Sequence, residues 1–417
     1  MAYIDRMSTR RPILMIIDSG GYGGAQTAFL RLARYMCGYY RVTVAVMSDV
    51  GDGIFSELHS FDDFKLVSLT VLDDHRPGFV NKIARWSKMI TTLRRLKRDN
   101  IASISFLSGP NLLNALSGRS ETNIVSERGS KRFDTGMSSL ARWLWTELID
   151  RYIYRSSKFI VAASADLAAE IGDSNKLSSD KLVSIEGGVN SGKIIERYRE
   201  NTGVDDESIV SAYFTICGIG RMHHQKGFDF LIDVFCEIRS IRPTVRLLLI
   251  GDGPMTESLK YQAAIKGLRI GTRIDFRRAD VVFLGYQNNP LKFLKVCNLF
   301  ALPSRYEGLP NALIEALVSD VPIVAADCPW GVRSVLSLAD VDRTAPKLKY
   351  PVKLTYGTLL PAIDDANAFE VWQSAIEAHW EKVEEADFGK RRDSIRRFDI
   401  EATGPAWSQL IQTAANT

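Results

Sequence analysis

The chain has 417 residues, of which 46% are apolar and 24% charged, which is typical of a globular protein. Its length predicts two or three domains rather than a single core. The formal net charge of +4 is small for this size, which excludes a global nucleic-acid-binding surface, so no nucleic-acid partner is expected.

Short, continuously apolar runs recur along the chain, and most of them end in Gly, Ser or Asp. Such runs are typical of strands buried on both faces of a parallel sheet. In chain order they are ILMIID, VTVAVMS, ASISFLS, NIVSE, FIVAAS, FTICGIG, RLLLIGDG, VVFLG, NLFALPS and PIVAADC. Helical patterns such as AQTAFLRLARYM, FDFLIDVFCEIRS and NALIEALVS lie between them. This alternation predicts a doubly wound α/β protein.

The predicted strands fall into two sets on either side of a polar segment, 191–208, that lacks sustained apolar periodicity. We therefore predict two Rossmann-like domains, 1–190 and 209–394, with 191–208 as the linker. A C-terminal helix at about 395–417 is expected to pack back on the first domain. Ligands of such sheets bind at the carboxyl ends of the strands, so a cleft between the domains is the expected active site.

The cysteines and the N-terminus bear on where the protein works. Five scattered cysteines without CxxC spacing predict reduced, mostly buried thiols and no structural zinc site. The run PILMII is cut short by Asp18, so it is interpreted as a first strand rather than a signal peptide. No run approaches the length of a membrane span, so we expect a cytoplasmic protein, or one resting on the inner face of the plasma membrane without crossing it.

The stretch SRYEGLPNALIEAL, residues 304–317, places two glutamates around a predicted helix start. Pro310 suits the first helical position, so Glu307 falls in the loop before the helix and Glu315 inside it. The free N–H groups at a helix start suit a phosphate, whereas flanking carboxylates suit hydroxyl groups attached to it. A nucleotide diphosphate-sugar offers both. The alternative is an acidic first turn that only complements the helix dipole.

The segment CGIGRMHHQKGFDFLIDVF, residues 217–235, ends a strand in glycines and supplies Arg221 and Lys226 before the next helix. Two cations on a glycine-rich loop suit a diphosphate leaving group, although alone they are also typical of a solvated surface.

No metal site is expected. Asp340 and Asp342 have the Asp-x-Asp spacing of a metal-binding motif, but they lie in a polar loop without a flanking apolar strand. His223 and His224 are adjacent in sequence, so their side chains cannot readily converge on one ion.

Together, these segments resemble the nucleotide-binding domain of the GT-B glycosyltransferases, specifically the retaining family 4 group that builds bacterial surface polysaccharides such as lipopolysaccharide and exopolysaccharide. The similar segments of the second half are 217–234, 283–317, 322–336 and 356–361, which cover nearly the whole domain. Those of the first half are 18–36, 105–118 and 123–130. The family's usual Pro-Asn-Gly-Val-Asp is replaced by Glu-Gly-Gly-Val-Asn at 186–190.

The resemblance implies roles for the matched residues. Glu307 would hold hydroxyls of the donor sugar, and Glu315 those of the ribose. Arg221 and Lys226 would neutralise the departing diphosphate. The implied catalytic residues are Glu307, Arg221, Lys226 and Arg128, and the implied donor-binding residues are Gly23, Gly24, Gly220, Gly308, Leu309 and Glu315.

The first domain carries the remaining assignments. Arg128 stands where many relatives have a histidine, and Asn111 and Glu127 are candidates on the acceptor side. Family members retain anomeric configuration by front-face attack, so no protein nucleophile is assigned. The implied partners are a UDP- or GDP-sugar donor and a lipid-linked saccharide acceptor, without a cofactor or metal. A nucleotide-sugar epimerase and a non-catalytic binding protein of the same fold are the alternatives.

Two helical segments of the first domain suggest contact with an anionic membrane. In 80–100, one stripe consists of Ile83, Trp86, Ile90 and Leu93, and the cations largely opposite are Lys88, Arg94, Arg95 and Arg98. This segment is either a membrane-surface helix or an ordinary helix with a solvated basic face. The segment 138–155 is rich in Trp and Tyr, which suggests core packing or, for Trp143 or Trp145, a lipid interface.

Overall fold

The computed structural model describes residues 10–19, 23–48, 64–70, 79–133, 137–202, 213–272, 279–319, 321–337, 348–381 and 388–416. The chain divides into two compact units, Met1–Asn190 with Arg397–Thr417, and Ser191–Arg396. Each unit has its own sheet and is described by itself.

The strands are β1 (Pro12–Ile17), β2 (Arg41–Val46), β3 (Phe64–Ser68), β4 (Ala102–Phe106), β5 (Asn123–Glu127), β6 (Phe159–Ala162), β7 (Leu182–Ser184), β8 (Phe214–Ile219), β9 (Val245–Ile250), β10 (Ile270–Gly271), β11 (Val281–Phe283), β12 (Leu299–Leu302), β13 (Ile323–Ala326), β14 (Val352–Lys353) and β15 (Thr358–Leu360).

The helices are α1 (Gly24–Cys37), α2 (Phe79–Arg98), α3 (Ser108–Leu116), α4 (Ser139–Trp143, continued by a π-helical segment, Leu144–Ile149, and by Asp150–Arg155), α5 (Ala165–Asn175), α6 (Ser191–Arg199), α7 (Phe228–Ile241), α8 (Thr256–Ile265), α9 (Asn311–Ala316), α10 (Val332–Leu336), α11 (Ala368–Glu381), α12 (Phe388–Ser394) and α13 (Ile400–Ala415). Short 3₁₀ turns connect some of them.

The first unit is a parallel sheet in the order β3-β2-β1-β4-β5-β6-β7. Its central strands are buried along nearly their whole length, as the continuous apolar runs predict. The strand order reverses between β1 and β4, and ligands of such sheets bind at the carboxyl ends on either side of that point. The loops after β1 and β4 therefore flank the expected site of this unit.

The second unit is a sheet in the order β10-β11-β9-β8-β12-β13-β15-β14. All neighbours in it pair in parallel except β14, which runs antiparallel to β15 at the edge. The reversal point lies between β8 and β12, where Phe300 pairs with Cys217. The predicted fold class, two doubly wound parallel-sheet units, is confirmed.

The segment 191–208, predicted as a linker, begins with a helix. In α6 only Ile194 is buried, and the amphipathic pattern is too short to stand out in the sequence. Its C-terminus is tied to the second unit, because Lys295 Nζ donates to the carbonyl oxygens of Arg199 and Glu200, each at 2.7 Å.

The C-terminal helix belongs to the first unit. Helix α13 packs with α1 on one face of the first sheet, with Trp407 stacked on Phe106 at a centroid distance of 5.6 Å. The N–H groups of Gly188 and Val189 both donate to the carbonyl oxygen of Phe398, at 2.9 and 3.0 Å. Residues 186–190, where the sequence differs from the family pattern, therefore include the residues that hydrogen-bond to the chain just before α13.

Gly187→Ala is expected to destabilise the protein by about 2 kcal/mol or more. Gly187 has a φ of +112°, and a Cβ there would overlap the backbone of Phe398. Gly118→Ala is the matched control, because Gly118 has a φ of +81° with no atom within 4 Å of the added Cβ. Urea unfolding should show the larger loss for Gly187→Ala, and equal losses would contradict the packing argument.

Helix α2 buries part of its predicted stripe. Leu93 and Met89 are buried, and Trp86 and Ile90 pack against the same cluster, whereas Ile83 is 53% exposed. A lysine that the sequence did not single out, Lys97, is also buried. Its Nζ donates to the carbonyl oxygens of Asn114 and Gly118 and to Asn123 Oδ1 at 2.7–2.8 Å, and burial lowers its pKa to about 7.

Candidate active site

Two loops of the second unit meet at the carboxyl ends of β8 and β12. Gln225 Nε2 donates to the carbonyl oxygen of Tyr306 at 2.9 Å, and the N–H of Arg305 donates to the carbonyl oxygen of Gln225 at 2.8 Å. Arg305 also binds both carboxylate oxygens of Asp229, at 2.9 and 2.7 Å. Burial alone would raise the pKa of Asp229, but its bonds to Arg305 outweigh burial and lower that pKa. The two loops are thus fastened to each other.

The fastened loops bring two of the predicted residues together. Lys226 Nζ lies 2.6 Å from Glu307 Oε1, and Ser304 Oγ donates to the same oxygen at 2.6 Å. Glu307 is buried and Lys226 is half-buried. The pair is a charge-assisted bond in a water-poor setting, where such bonds are strongest. Both contacts fall on Oε1, so Oε2 takes part in neither.

Glycine allows these loops to approach closely. Gly227 adopts a φ of +64°, and a Cβ there would overlap the carbonyl oxygen of Pro303 at the end of the neighbouring strand. Gly251, with a φ of +138°, lies against the carbonyl oxygen of Gly220 in the same way. The glycines of the motif therefore bring the backbones of β8, β9 and β12 together at their carboxyl ends.

A third loop, after β13, packs against Glu307. The N–H of Trp330 donates to the carbonyl oxygen of Glu307 at 3.2 Å, and the N–H of Glu307 donates to that of Pro329. Cys328 is buried beside them, and burial, with the Glu307 charge adding to it, raises the pKa of its thiol well above the usual range. The sequence motifs did not indicate that this loop holds the Glu307 backbone.

The other predicted donor-site residues lie on the same loops. Gly308 and Leu309 are buried, Gly220 and Glu315 are half-buried, and Arg221 is exposed. Helix α9 begins at Asn311, so Pro310 precedes its first turn rather than occupying it. Glu315 therefore lies in a helix of only six residues, closer to its end than the sequence suggested.

The first unit holds a second polar cluster, around Glu127 at the end of β5. Asn111 Nδ2 donates to Glu127 Oε1 at 3.1 Å, and Lys131 Nζ lies 3.1 Å from Oε2. Lys131 also lies 2.7 Å from Asp150 Oδ1. Burial raises the pKa of Asp150 to about 6 in spite of Lys131, and burial, with the Glu127 charge adding to it, likewise raises the pKa of Tyr154. Lys131 and Asp150 were missed because no local motif marks them.

Arg128 follows β5 and the two glycines of the first loop follow β1, and these strands lie on either side of β4 in the first sheet. The Arg128 guanidinium carbon lies 5.4 Å from the centre of the Phe106 ring, and burial lowers the pKa of Arg128 to about 10. Gly23 caps α1, and Gly24 begins it. A Cβ on Gly23 would overlap the amide of Gln26, whose Nε2 donates to Asp18 Oδ1 at 3.3 Å.

The described residues form neither a cluster of metal ligands nor a membrane-spanning helix. Within the described ranges, no group of three or more His, Cys, Asp or Glu side chains is placed to hold a metal ion. Asp340 and Asp342 lie outside those ranges. Of the helices described, none combines the length and the apolar character that crossing a bilayer requires.

The two units have the architecture of GT-B glycosyltransferases. The structure of HepE from Anabaena, solved in complex with UDP and glucose, matches with a TM-score of 0.71, covering 96% of this chain and 99% of that one at 16% identity. Residues 213–345 match the family model described as Glycosyl transferases group 1. The second unit therefore contains a glycosyl transferases group 1 domain, which confirms the resemblance to glycosyltransferases inferred from its motifs.

Sequence relatives extend the similarity beyond that domain. An uncharacterized glycosyltransferase of Methanocaldococcus jannaschii is 27% identical over 275 residues, which are 63% of this chain and 65% of the relative. A protein of Campylobacter jejuni is 24% identical over 233 residues, 55% of this chain and 58% of the relative. Its name is N-acetylgalactosamine-N,N'-diacetylbacillosaminyl-diphospho-undecaprenol 4-alpha-N-acetylgalactosaminyltransferase. The matches thus span less than two thirds of either relative's length.

Proposed function

We propose that the protein is a retaining family 4 hexosyltransferase that moves a hexose from a nucleotide diphosphate-sugar to a lipid-linked saccharide during cell-surface polysaccharide synthesis. The observation that carries this proposal is the Lys226–Glu307 pair, with its 2.6 Å contact, at the strand ends of a glycosyl transferases group 1 domain. Glu307 supplies a carboxylate for sugar hydroxyls, and Lys226 supplies a cation for the diphosphate beside them.

The donor site lies on the second unit. The structural neighbour HepE was solved with UDP and glucose, which supports a nucleotide-sugar donor here. Arg221, which is exposed, and Lys226 carry the positive charge that stabilises the departing diphosphate, so the proposed reaction needs no metal ion. Backbone N–H groups of Gly308 and Leu309 bind the same group, and the half-buried Glu315 binds the ribose.

The acceptor site lies on the first unit, where Asn111, Glu127 and Arg128 lie at neighbouring strand ends. Glu127 is proposed as a positioning group, and hydrogen bonds from Asn111 and Lys131 hold its two oxygens. The proposed reaction is front-face attack by the acceptor hydroxyl, as the resemblance implies, and no protein nucleophile is assigned. The diphospho-undecaprenol in the name of the Campylobacter relative supports a lipid-linked acceptor. We therefore propose that the protein acts at the cytoplasmic face of the membrane.

The direct test mixes the purified protein with radiolabelled UDP- or GDP-sugars and a lipid extract of the source cells. Transfer of label into the lipid fraction is the expected result. Isomerisation of the sugar nucleotide without an acceptor would instead indicate an epimerase. Neither reaction, with nucleotide still bound, would indicate a non-catalytic binding protein.

A thermal-shift panel with UDP, GDP and ADP is expected to single out one nucleotide. A ligand that binds only the native state stabilises it by about 2.7 kcal/mol at a concentration a hundred times its Kd. The nucleotide of the true donor should therefore raise the Tm, and Glu315→Gln should reduce the rise. Equal small shifts for all three nucleotides would contradict a specific nucleotide site.

A further inference from the structure

The side chain of Arg305, in the loop after β12, reaches across to the neighbouring connection between β8 and α7. Its NH1 donates to the carbonyl oxygen of His224 at 2.8 Å and to Asp229 Oδ1 at 2.9 Å, and its NH2 donates to Asp229 Oδ2 at 2.7 Å. His224 lies in the loop after β8, and Asp229 lies in the first turn of α7. One side chain therefore holds this connection at two points.

The loop after β15 also reaches Arg305. Asp364 Oδ1 lies 3.5 Å from Arg305 Nε, but Asp364 is 74% exposed, so this ion pair is screened by solvent and is weaker than the bidentate pair with Asp229. Ile363 of the same loop packs against Gly227, where an added Cβ would lie 2.7 Å from Ile363 Cδ1. Arg305 thus connects the loops that follow three strands of the second sheet, β8, β12 and β15.

The guanidinium of Arg305 is committed to protein groups. Its side chain is mostly buried, with 13% exposed, and two carboxylates, Asp229 and Asp364, face its charge. The bonds to Asp229 raise the pKa of Arg305 above its usual value. Arg221, in contrast, is exposed. Of these two arginines, Arg305 is therefore the one suited to hold the loops, and Arg221 the one suited to meet a ligand.

The backbone around Arg305 is held independently of its side chain. The N–H of Arg305 donates to the carbonyl oxygen of Gln225 at 2.8 Å, and the carbonyl oxygen of Tyr306 accepts from Gln225 Nε2 at 2.9 Å. These contacts should survive replacement of the side chain and keep the loop folded. The side chain adds the connection from the segment just before Glu307 to α7, which begins two residues after Lys226.

We infer that Arg305 and Asp229 are positioning residues of the donor site, which set the distance and orientation between Lys226 and Glu307. The inference rests on the proposed function, in which Lys226 meets the diphosphate and Glu307 the sugar hydroxyls of the same donor. Both groups must then be placed correctly at once, and a misplacement of about 1 Å can lower a rate about a hundredfold. A bidentate arginine–carboxylate pair fixes orientation as well as distance.

Arg305→Ala should lower kcat about tenfold to a hundredfold and leave the nucleotide Kd nearly unchanged, because the groups that bind the nucleotide are retained. Arg305→Lys keeps the charge but not the bidentate geometry, so it should lose most of the same turnover. Transfer of labelled sugar gives kcat, and a separate titration with UDP, GDP and ADP gives the nucleotide Kd.

Arg269 provides the matched control in the same unit. It also binds both oxygens of one carboxylate, with Nε 3.0 Å from Asp280 Oδ2 and NH2 2.8 Å from Asp280 Oδ1. Arg269 and Asp280 directly precede β10 and β11, so their pair lies at the amino ends of the strands, the edge opposite the donor site. Arg269→Ala removes the same kind of bond and should leave kcat unchanged.

Hydrogen exchange tests the positioning without any sugar substrate. The backbone N–H groups of Arg305 and Glu307 are hydrogen-bonded to neighbouring loops, so peptides that cover 304–309 should be protected in the wild type. Arg305→Ala and Asp229→Asn should speed exchange in these peptides about tenfold, whereas Arg269→Ala should not. A wild type that transfers no sugar would contradict the proposed function, and the exchange rates would still decide whether the pair positions this loop.

Three results would overturn the inference. Wild-type kcat together with wild-type exchange in Arg305→Ala would show that the pair positions nothing. Equal losses of kcat in Arg305→Ala and Arg269→Ala would reduce the effect to general stability. A loss confined to nucleotide affinity would instead make Arg305 a ligand of the nucleotide.

Discussion

Replacing Lys226 with alanine is expected to lower kcat about a hundredfold or more, because the departing diphosphate then loses a preorganised cation. In the structure this cation is held 2.6 Å from Glu307 Oε1 on a loop fastened to its neighbour. The loss should appear in kcat under saturating donor, measured by transfer of labelled sugar. Lys260→Ala, a half-buried lysine of α8 paired with Glu257, is the matched control and should leave transfer unchanged.

The same substitution also leaves the buried Glu307 without its cation, which costs about 1–3 kcal/mol of stability. The double variant Lys226→Ala with Glu307→Gln removes that cost, so it should recover stability in urea but not turnover. EDTA should leave transfer by the wild type unchanged. Inactivation by EDTA that magnesium or manganese reverses would contradict a metal-independent reaction.

Glu307→Gln is expected to lower kcat roughly tenfold to a hundredfold, which corresponds to the loss of one charge-assisted hydrogen bond of about 1.5–3 kcal/mol. Nucleotide affinity should stay the same or increase, because the substitution frees the Lys226 charge from its partner. Steady-state kinetics with a separate nucleotide-binding titration distinguishes the two effects.

Glu315→Gln should show the opposite division, with weaker nucleotide affinity and a smaller change in kcat. Glu370→Gln, at an exposed position of α11 in the same unit, is the control for loss of a glutamate charge. Near-wild-type kinetics in both site variants would remove the assignment of these glutamates to the donor.

Much of the second-unit site could be predicted from the sequence. Lys226 and Glu307 are 81 residues apart, but each follows an apolar run that forms a buried strand, and β8 and β12 are neighbours at the reversal point. Parallel strands place their carboxyl ends at one edge, so residues that directly follow two such strands meet. Local signals, namely glycine before a helix and proline near its start, located both loops.

The contacts within and around the clusters could not be predicted in this way. The sequence did not predict that Lys226 and Glu307 form an ion pair with each other. This contact depends on loop conformations that are set by Gly227 and the β13 loop. Lys131 reaches Glu127 from a loop, and Asp150 reaches Lys131 from α4, and no periodicity marks such a triad. The sequence analysis assigned 191–208 to a linker and did not identify α6, because a helix with one buried residue has no repeating apolar pattern.

The Lys226–Glu307 ion pair also bears on which small anions the donor site would take up. With the lysine charge already balanced, inorganic phosphate gains little by displacing the carboxylate, which would then stay buried without its cation. A sugar diphosphate exchanges partners on both sides at once, since its phosphate meets the lysine while its hydroxyls donate to the glutamate. Under the proposed function, the pair therefore acts as a filter that keeps abundant cellular phosphate from competing with the donor.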